Sequence, residues 1–312
     1  MQSPYKIPED EVHPIEVFGL KGRALEIESK GTGKTPILFV YGVHTLLERV
    51  YTVSQVLAEF GPVTAPDLPG FGGMMSLEHV KERPSINNLA DYLAAFIEQR
   101  FPDENQQVIM VGFSLGFVLL TRMLQRHPHL TKRVRVLVSL AGFVSAQDLK
   151  FNRPTRFLLR SFARVFRRRP WNVAFRYIYL QPPVLTPIYA VQAKRHPKFK
   201  DLSRPERAKM IKFEVYLWQS NDVRTYFWML YQISNLDLTR TKVKLPVHQI
   251  SIKHDQYFKN KIVRQNMRKI FEEVTVHYAE LPNHAPTIIE DVEGAAQILP
   301  ETMREVLRTA GV

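Results

Sequence analysis

The sequence has 312 residues, with 43 Lys+Arg against 30 Asp+Glu, a formal net charge of +13 and an apolar content of 45%. That apolar share excludes wholesale disorder, and the absence of cysteine excludes disulfide scaffolds, thiolate metal sites and cysteine nucleophiles. The charge excess is local: residues 146–240 carry 19 Lys/Arg, 6 Asp/Glu and all three Trp, and the rest of the chain holds 24 of each sign.

In chain order, the first eleven residues contain Pro and acids and no apolar stretch, so no signal peptide is expected. No run approaches the roughly 18 apolar residues of a membrane span, and the expected compartment is the cytoplasm. Ile15–Phe18 and Ala24–Ile27 read as short strands, and Pro36–Val40 as a strand buried on both faces. Thr45 is a candidate cap for a helix through Leu46, Val50, Val53, Leu57 and Phe60. Val63–Ala65 is a strand that runs into the turn-forming stretch Asp67 to Gly73, and Ser85 starts a helix with Leu89, Leu93, Phe96 and Ile97 inward. Val108–Val111 is a strand, Leu115 to about Gln125 a helix and Val134–Leu140 a strand. After the basic segment follow strand Val247–Ile252, a polar helix to about Glu273, strand Val274–Ala279 and a final amphipathic helix after Pro300. Strand–helix alternation with short connections predicts an α/β fold with a doubly wound, mostly parallel sheet. In such a sheet the chemistry sits beyond the carboxyl ends of the strands.

Gly112-Phe113-Ser114-Leu115-Gly116 lies between a predicted strand and a predicted helix. Gly-x-Ser-x-Gly in that context forces a sharp turn with the serine at its apex, and the flanking glycines avoid a clash. The sequence here resembles the α/β-hydrolase family, specifically its capped members. Tyr41-Gly42-Val43 stands where the family usually has His-Gly-x, Asp67-Leu68-Pro69-Gly70-Phe71-Gly72 matches a recurrent family turn, and Ser114, Asp255 and His284 follow the family's order of nucleophile, acid and base. The chain departs from the pattern at Tyr41, at Asn283 (commonly Gly) and at Phe117, where a small residue often follows the elbow. A serine nucleophile argues against the branches that attack with a carboxylate.

The resemblance implies a division of labour that acidity explains. Serine is a weak nucleophile near neutral pH and needs a base, for which His284 is the candidate. An acid must fix the imidazole tautomer, for which Asp255 is favoured over Asp148 and Asp237. The backbone N–H groups of Val43 and Leu115 are the expected oxyanion hole, and His44 and Phe113 the expected substrate contacts. His254 reads as a loop residue and Asp67 as a structural turn residue. No metal and no cofactor is expected.

Residues 1–145 and 241–312 are then the hydrolase core, and 146–240 an inserted helical cap with helices from Arg153 to Arg169, Arg204 to about Leu217 and Val223 to about Ile233. Pro170, Pro182-Pro183, Pro187 and Pro197 are read as breaks between them. In the first helix Arg156, Arg160 and Arg164 share a face beside a stripe of Leu158, Phe162, Val165 and Phe166. Three readings of these cations stand: a solvated outer face, contact with an anionic membrane surface, or binding of an anionic substrate group. Nucleic acid is not expected as a partner, since no recognition module accompanies the charge. The expected activity is hydrolysis of an ester, thioester or amide with an apolar acyl or aromatic group. The alternatives are carbon–carbon bond hydrolysis by the same triad, disfavoured by Ala285 where those enzymes place Trp, and a non-catalytic hydrolase-fold protein that binds a ligand or a membrane surface.

Overall fold

Apolar runs buried on both faces form the centre of one eight-stranded sheet, and more polar strands form its edges. In the computed structural model, which describes residues 2–193, 202–253, 255–281, 284 and 291–312, the strands are β1 (Val12–Val17), β2 (Leu20–Ile27), β3 (Ile37–Val40), β4 (Val63–Pro66), β5 (Val108–Phe113), β6 (Val134–Leu140), β7 (Val243–Ile252) and β8 (Phe271–Ala279). Their spatial order is β1-β2-β4-β3-β5-β6-β7-β8. The pairs β1/β2 and β2/β4 are antiparallel and the remaining pairs parallel, so the doubly wound, mostly parallel sheet expected from the alternation is the one observed. Every residue of β3 is buried, whereas edge strand β1 exposes His13 and Pro14. A proline there withholds an N–H from the open edge and discourages pairing with another chain.

Helices α1 (Leu47–Leu57), α2 (Ile86–Arg100) and α3 (Leu115–Arg126) follow β3, β4 and β5. Ser85 caps α2 by accepting from the Asn88 N–H at 3.0 Å. Thr45 does not cap α1: the capping position is Leu46, without a side-chain bond, and the Thr45 hydroxyl instead donates to the Val43 carbonyl at 3.3 Å. Four strands reach further toward their starts than the sequence suggests, β1 from Val12, β2 from Leu20, β7 from Val243 and β8 from Phe271. Pairing with a neighbour supplies hydrogen bonds that hydrophobic pattern alone does not register.

Between β6 and β7 the described residues form α4 (Arg153–Phe166), α5 (Trp171–Ile178), α6 (Pro182–Ala193), α7 (Arg204–Ser220) and α8 (Val223–Ile233). Pro170 and Pro182-Pro183 do stand between helices, at the starts of α5 and α6; Pro187 lies inside α6, a correction to its reading as a break, and Pro197 lies outside the described residues. Pro182 and Pro183 occupy the first turn of α6, where an N–H has no partner within the helix anyway. The insert has its own core, in which Ala163, Leu180, Leu185, Val215, Val223 and Phe227 are buried. It is tied to the sheet side by Arg49 to Glu214 at 2.5 Å, by an Arg224–Glu78 ion pair, and by the Asp222 N–H donating to the Gly70 carbonyl at 2.8 Å. The chain closes with α9 (Asn260–Ile270), α10 (Val292–Ala296) and α11 (Glu301–Gly311). Among the described residues no helix is long and apolar enough to cross a membrane.

Candidate active site

Strand β5 ends and α3 begins within one residue of each other, at Ser114, whose φ of 51° and ψ of −115° lie outside the regions that side chains normally adopt. The strain is held in place by close approach on both sides. A Cβ on Gly116 would collide with the Val40 carbonyl oxygen, and one on Gly112 would stand 2.5 Å from the Phe117 Cα. Only glycine allows the helix to start this close to the sheet. Phe117 itself, the least expected residue of the motif, is fully buried and packs on Phe271 with ring centroids 5.8 Å apart. Gly142, just after β6, makes the room: a Cβ there would lie 2.7 Å from the Phe117 side chain.

The loop after β3 runs directly against this elbow, since a Cβ on Gly42 would sit 3.2 Å from Ser114 Cβ. Val43 in that loop is half-buried, and Leu115 is the first residue of α3, whose leading N–H groups have no partner within the helix. Tyr41 holds the loop from below. Its hydroxyl donates to Asp67 Oδ1 at 2.6 Å and accepts from the Leu68 N–H at 3.0 Å. Asp67 Oδ2 in turn accepts from Arg23 Nε at 2.7 Å and from the Gly73 N–H at 2.9 Å. Arg23 also clamps Glu48 through both carboxylate oxygens, at 2.9 and 2.8 Å. Burial pushes the Asp67 carboxyl up, against the pull of Arg23. Arg23 is half-buried, and desolvation disfavours its charge, yet Glu48 and Asp67 hold it above its ordinary value. The tyrosine that departs from the resembled pattern is thus the brace of the loop, and Asp67 is its anchor.

On the other side of the elbow, the loops after β7 and β8 bring Asp255 and His284 together. Asp255 Oδ2 lies 2.7 Å from His284 Nδ1. Oδ1 accepts the N–H groups of Tyr257 at 2.7 Å and Phe258 at 3.1 Å, so its own loop fixes the carboxylate independently of the histidine. Lys150 Nζ donates to the Asp255 carbonyl at 2.5 Å. The carboxylate is 2% exposed and the imidazole 12%. The His284 ring is surrounded by Phe113, Tyr257 and Phe258, with centroids 5.2, 5.3 and 5.2 Å away. Because Phe113 precedes Ser114, its contact with His284 connects the imidazole to the elbow.

The competing acids stand elsewhere. Asp148 is buried in a short turn, where it accepts the N–H groups of Val144 and Ser145 at 2.9 Å and the Asn266 amide at 2.7 Å. Burial pushes its carboxyl up. Asp237 accepts from Thr239 and Arg240 in a turn. His44 takes a left-handed backbone (φ 53°) beside the elbow loop. Its ring packs on Trp218 and Tyr226, with centroids 4.1 and 5.1 Å away, and Nδ1 lies 3.3 Å from the Asn221 amide. Asn283, Ala285 and His254 lie outside the described residues. Among the described residues no group of three or more His, Asp or Glu is placed to hold a metal ion.

Sequence reasoning missed Lys150, Tyr257, Phe258, Trp218, Asn221 and Tyr226. The aromatic pair was within reach, two and three residues after Asp255. Trp218, Asn221 and Tyr226 reach His44 only through the packing of the insert and leave no local signal.

The family model described as the alpha/beta hydrolase family matches residues 39–250. None of the curated proteins matches the chain in sequence. Among solved structures, a membrane phospholipase A described as a bacterial virulence factor aligns with a TM-score of 0.67 at 15% identity, covering 95% of this chain and 86% of that one. A thermophilic esterase from Thermogutta terrifontis aligns at 0.62 and 16% identity, over 96% and 100%. The epoxide hydrolase CorEH aligns at 0.63 and 14% identity, over 95% and 97%. At such identities the likeness is one of fold.

Proposed function

The chain belongs to the alpha/beta hydrolase family, and on that premise we propose that it is a serine hydrolase acting through an acyl-enzyme on Ser114. The observation that carries the reading is the 2.7 Å contact of His284 Nδ1 with Asp255, made by a histidine whose ring also packs on Phe113 beside the nucleophile. A buried carboxylate at Nδ1 keeps the proton on that nitrogen and leaves Nε2 as the base. As Ser114 Oγ attacks a carbonyl carbon, Nε2 takes the hydroxyl proton. The carbonyl oxygen becomes an oxyanion held by the N–H groups of Leu115 and Val43. Collapse of the tetrahedral intermediate expels the alcohol, thiol or amine, which receives the proton from His284. Water, activated by the same imidazole, then hydrolyses the acyl-serine.

The substrate class follows from the walls. Phe113, Tyr257 and Phe258 surround His284, and Trp218 and Tyr226 flank His44, so apolar and aromatic surface borders the reacting groups. This favours an ester of an apolar acyl or aromatic group, with the insert acting as the cap over it. A fluorophosphonate probe should label the folded protein at Ser114 and leave Ser114→Ala unlabelled, and p-nitrophenyl esters should turn over with a preference set by acyl length. Turnover that persists undiminished in Ser114→Ala would refute the assignment.

A further inference from the structure

Helix α4 is amphipathic, but it is mounted with its apolar side outward. Leu158, Phe162 and Val165, spaced i, i+4 and i+7 on one face, are 67%, 44% and 44% exposed. Its basic flank is split: Arg156 turns toward the insert, whereas Arg153, Arg160 and Arg164 are exposed. The Arg167 guanidinium lies over the rings of Trp228 and Tyr231, 4.1 and 3.8 Å from their centroids, and Arg156 donates to the Ala146 carbonyl at 3.3 Å. Surface helices ordinarily bury their apolar stripe. Helices α5 and α6 expose further large apolar side chains, Trp171, Tyr177, Ile178 and Ile188, and an open groove of about 650 Å³ runs along α4 past Leu158 and Phe162. Exposed apolar surface of this extent marks an interaction site.

The charge around it selects the occupant. From residue 149 to 200 the sequence contains no Asp or Glu, and residues 153–193, from the start of α4 to the end of α6, carry eight Arg. Among these, Arg153, Arg164 and Arg168 are exposed. A second copy of this chain packed face to face would set these cations against themselves. An anionic bilayer offers the opposite sign at its headgroups and an apolar layer about 5–10 Å beneath, a depth suited to Leu, Phe, Trp and Tyr side chains. The geometry points to a docking surface on α4 to α6 for an anionic phospholipid bilayer, which holds the protein at the membrane without crossing it. Ring contacts continue inward from this surface: Phe162 on Phe227, Phe227 on Tyr226 and Tyr226 on His44, with centroids 5.6, 5.3 and 5.1 Å apart. Docking therefore sets the outer end of an aromatic chain on the lipid and its inner end at the elbow loop. That consequence rests on the chemistry proposed for Ser114; the docking itself does not.

Co-sedimentation with vesicles separates the two. Wild-type protein and Ser114→Ala should bind vesicles of mixed phosphatidylglycerol and phosphatidylcholine equally. Both should bind phosphatidylcholine alone far more weakly, and should be released by raised salt. Arg153→Gln/Arg164→Gln/Arg168→Gln should bind the anionic vesicles about a hundredfold more weakly, at about fivefold per cation. Leu158→Ser/Val165→Ser should lose binding while keeping its circular dichroism and its turnover of a water-soluble ester. Should that variant fail to fold, the arginine variant decides alone. Equal binding to both vesicle types would overturn the proposal, as would binding unchanged by the arginine substitutions. So would a dimer in sedimentation velocity, dissociated by Leu158→Ser/Val165→Ser, in a protein that ignores vesicles.

Discussion

Asp255 and Asp67 are both buried carboxylates in loops at the sheet, and their neighbours give them different work. Asp255 turns one oxygen to the backbone of its own loop and the other to an imidazole. Asp67 turns both to fixed donors, Tyr41 and Arg23 among them, and so serves as an anchor. In the sequence both are simply Asp after a strand. Only the Ser, Asp, His order separated them, and the preference for Asp255 over Asp148 rested on position in the chain. What the sequence could not show is where each oxygen points, because the donors to Asp67 come from positions 23, 41 and 73. The brace makes a prediction at this scale. Tyr41→Phe removes a donor from a buried carboxylate and an acceptor from the Leu68 N–H, and should cost about 1–3 kcal/mol, measured by chemical denaturation. Because the same loop carries the Val43 N–H, kcat on a p-nitrophenyl ester should fall more than KM rises.

The strand–elbow–helix unit of β5 and α3 was legible because its requirements are local: an apolar run, a strained serine and glycines at two removed. Its least expected residue was explained only by a distant one. Phe117 fits because Gly142, after the next strand, has no side chain in its way. Gly142→Ala should therefore overpack this junction and destabilise by about 1–3 kcal/mol, read as a lowered Tm with the elbow sequence untouched. The insert shows the complementary failure. Its helices α7 and α8 were readable from pattern, and in the structure Ser203 and Asp222 accept N–H groups at their starts. Helix α6 was not, because Pro187, which reads in sequence as a break, lies inside it. For α4 the stripe itself was legible, but its outward direction was not, since direction is set by the surface on which the helix packs.

Across the whole molecule, a second histidine cluster lies away from the elbow. His248 on β7 and His277 on β8 approach to 3.1 Å, and His277 Nδ1 lies 2.8 Å from the Thr302 hydroxyl. Arg135 and Glu305 line the cleft beside His248. Burial depresses both imidazoles below their ordinary 6.5, and His248 adds to the depression of His277. The folded state therefore favours the neutral rings. As pH falls through the ordinary value, the unfolded chain takes up protons that the folded one resists, so stability present above about pH 6.5 is lost below it. Thermal melts across that range should show the decline, and His248→Gln/His277→Gln should flatten it. A decline of the same slope in the double variant would assign it to other groups.

At every scale the division is the same. The sequence by itself determined the alternation that makes a doubly wound sheet, the elbow at Ser114, and the confinement of the excess charge to one segment, because each is written in residues adjacent in the chain or repeating at the period of a helix or strand. Only the tertiary structure decided that Tyr41 braces the elbow loop through Asp67, that Gly142 makes room for Phe117, and that α4 turns its apolar side outward. Those facts are contacts between residues far apart in sequence, fixed by how close-packed side chains share space, and no local pattern records which distant surface a residue will meet.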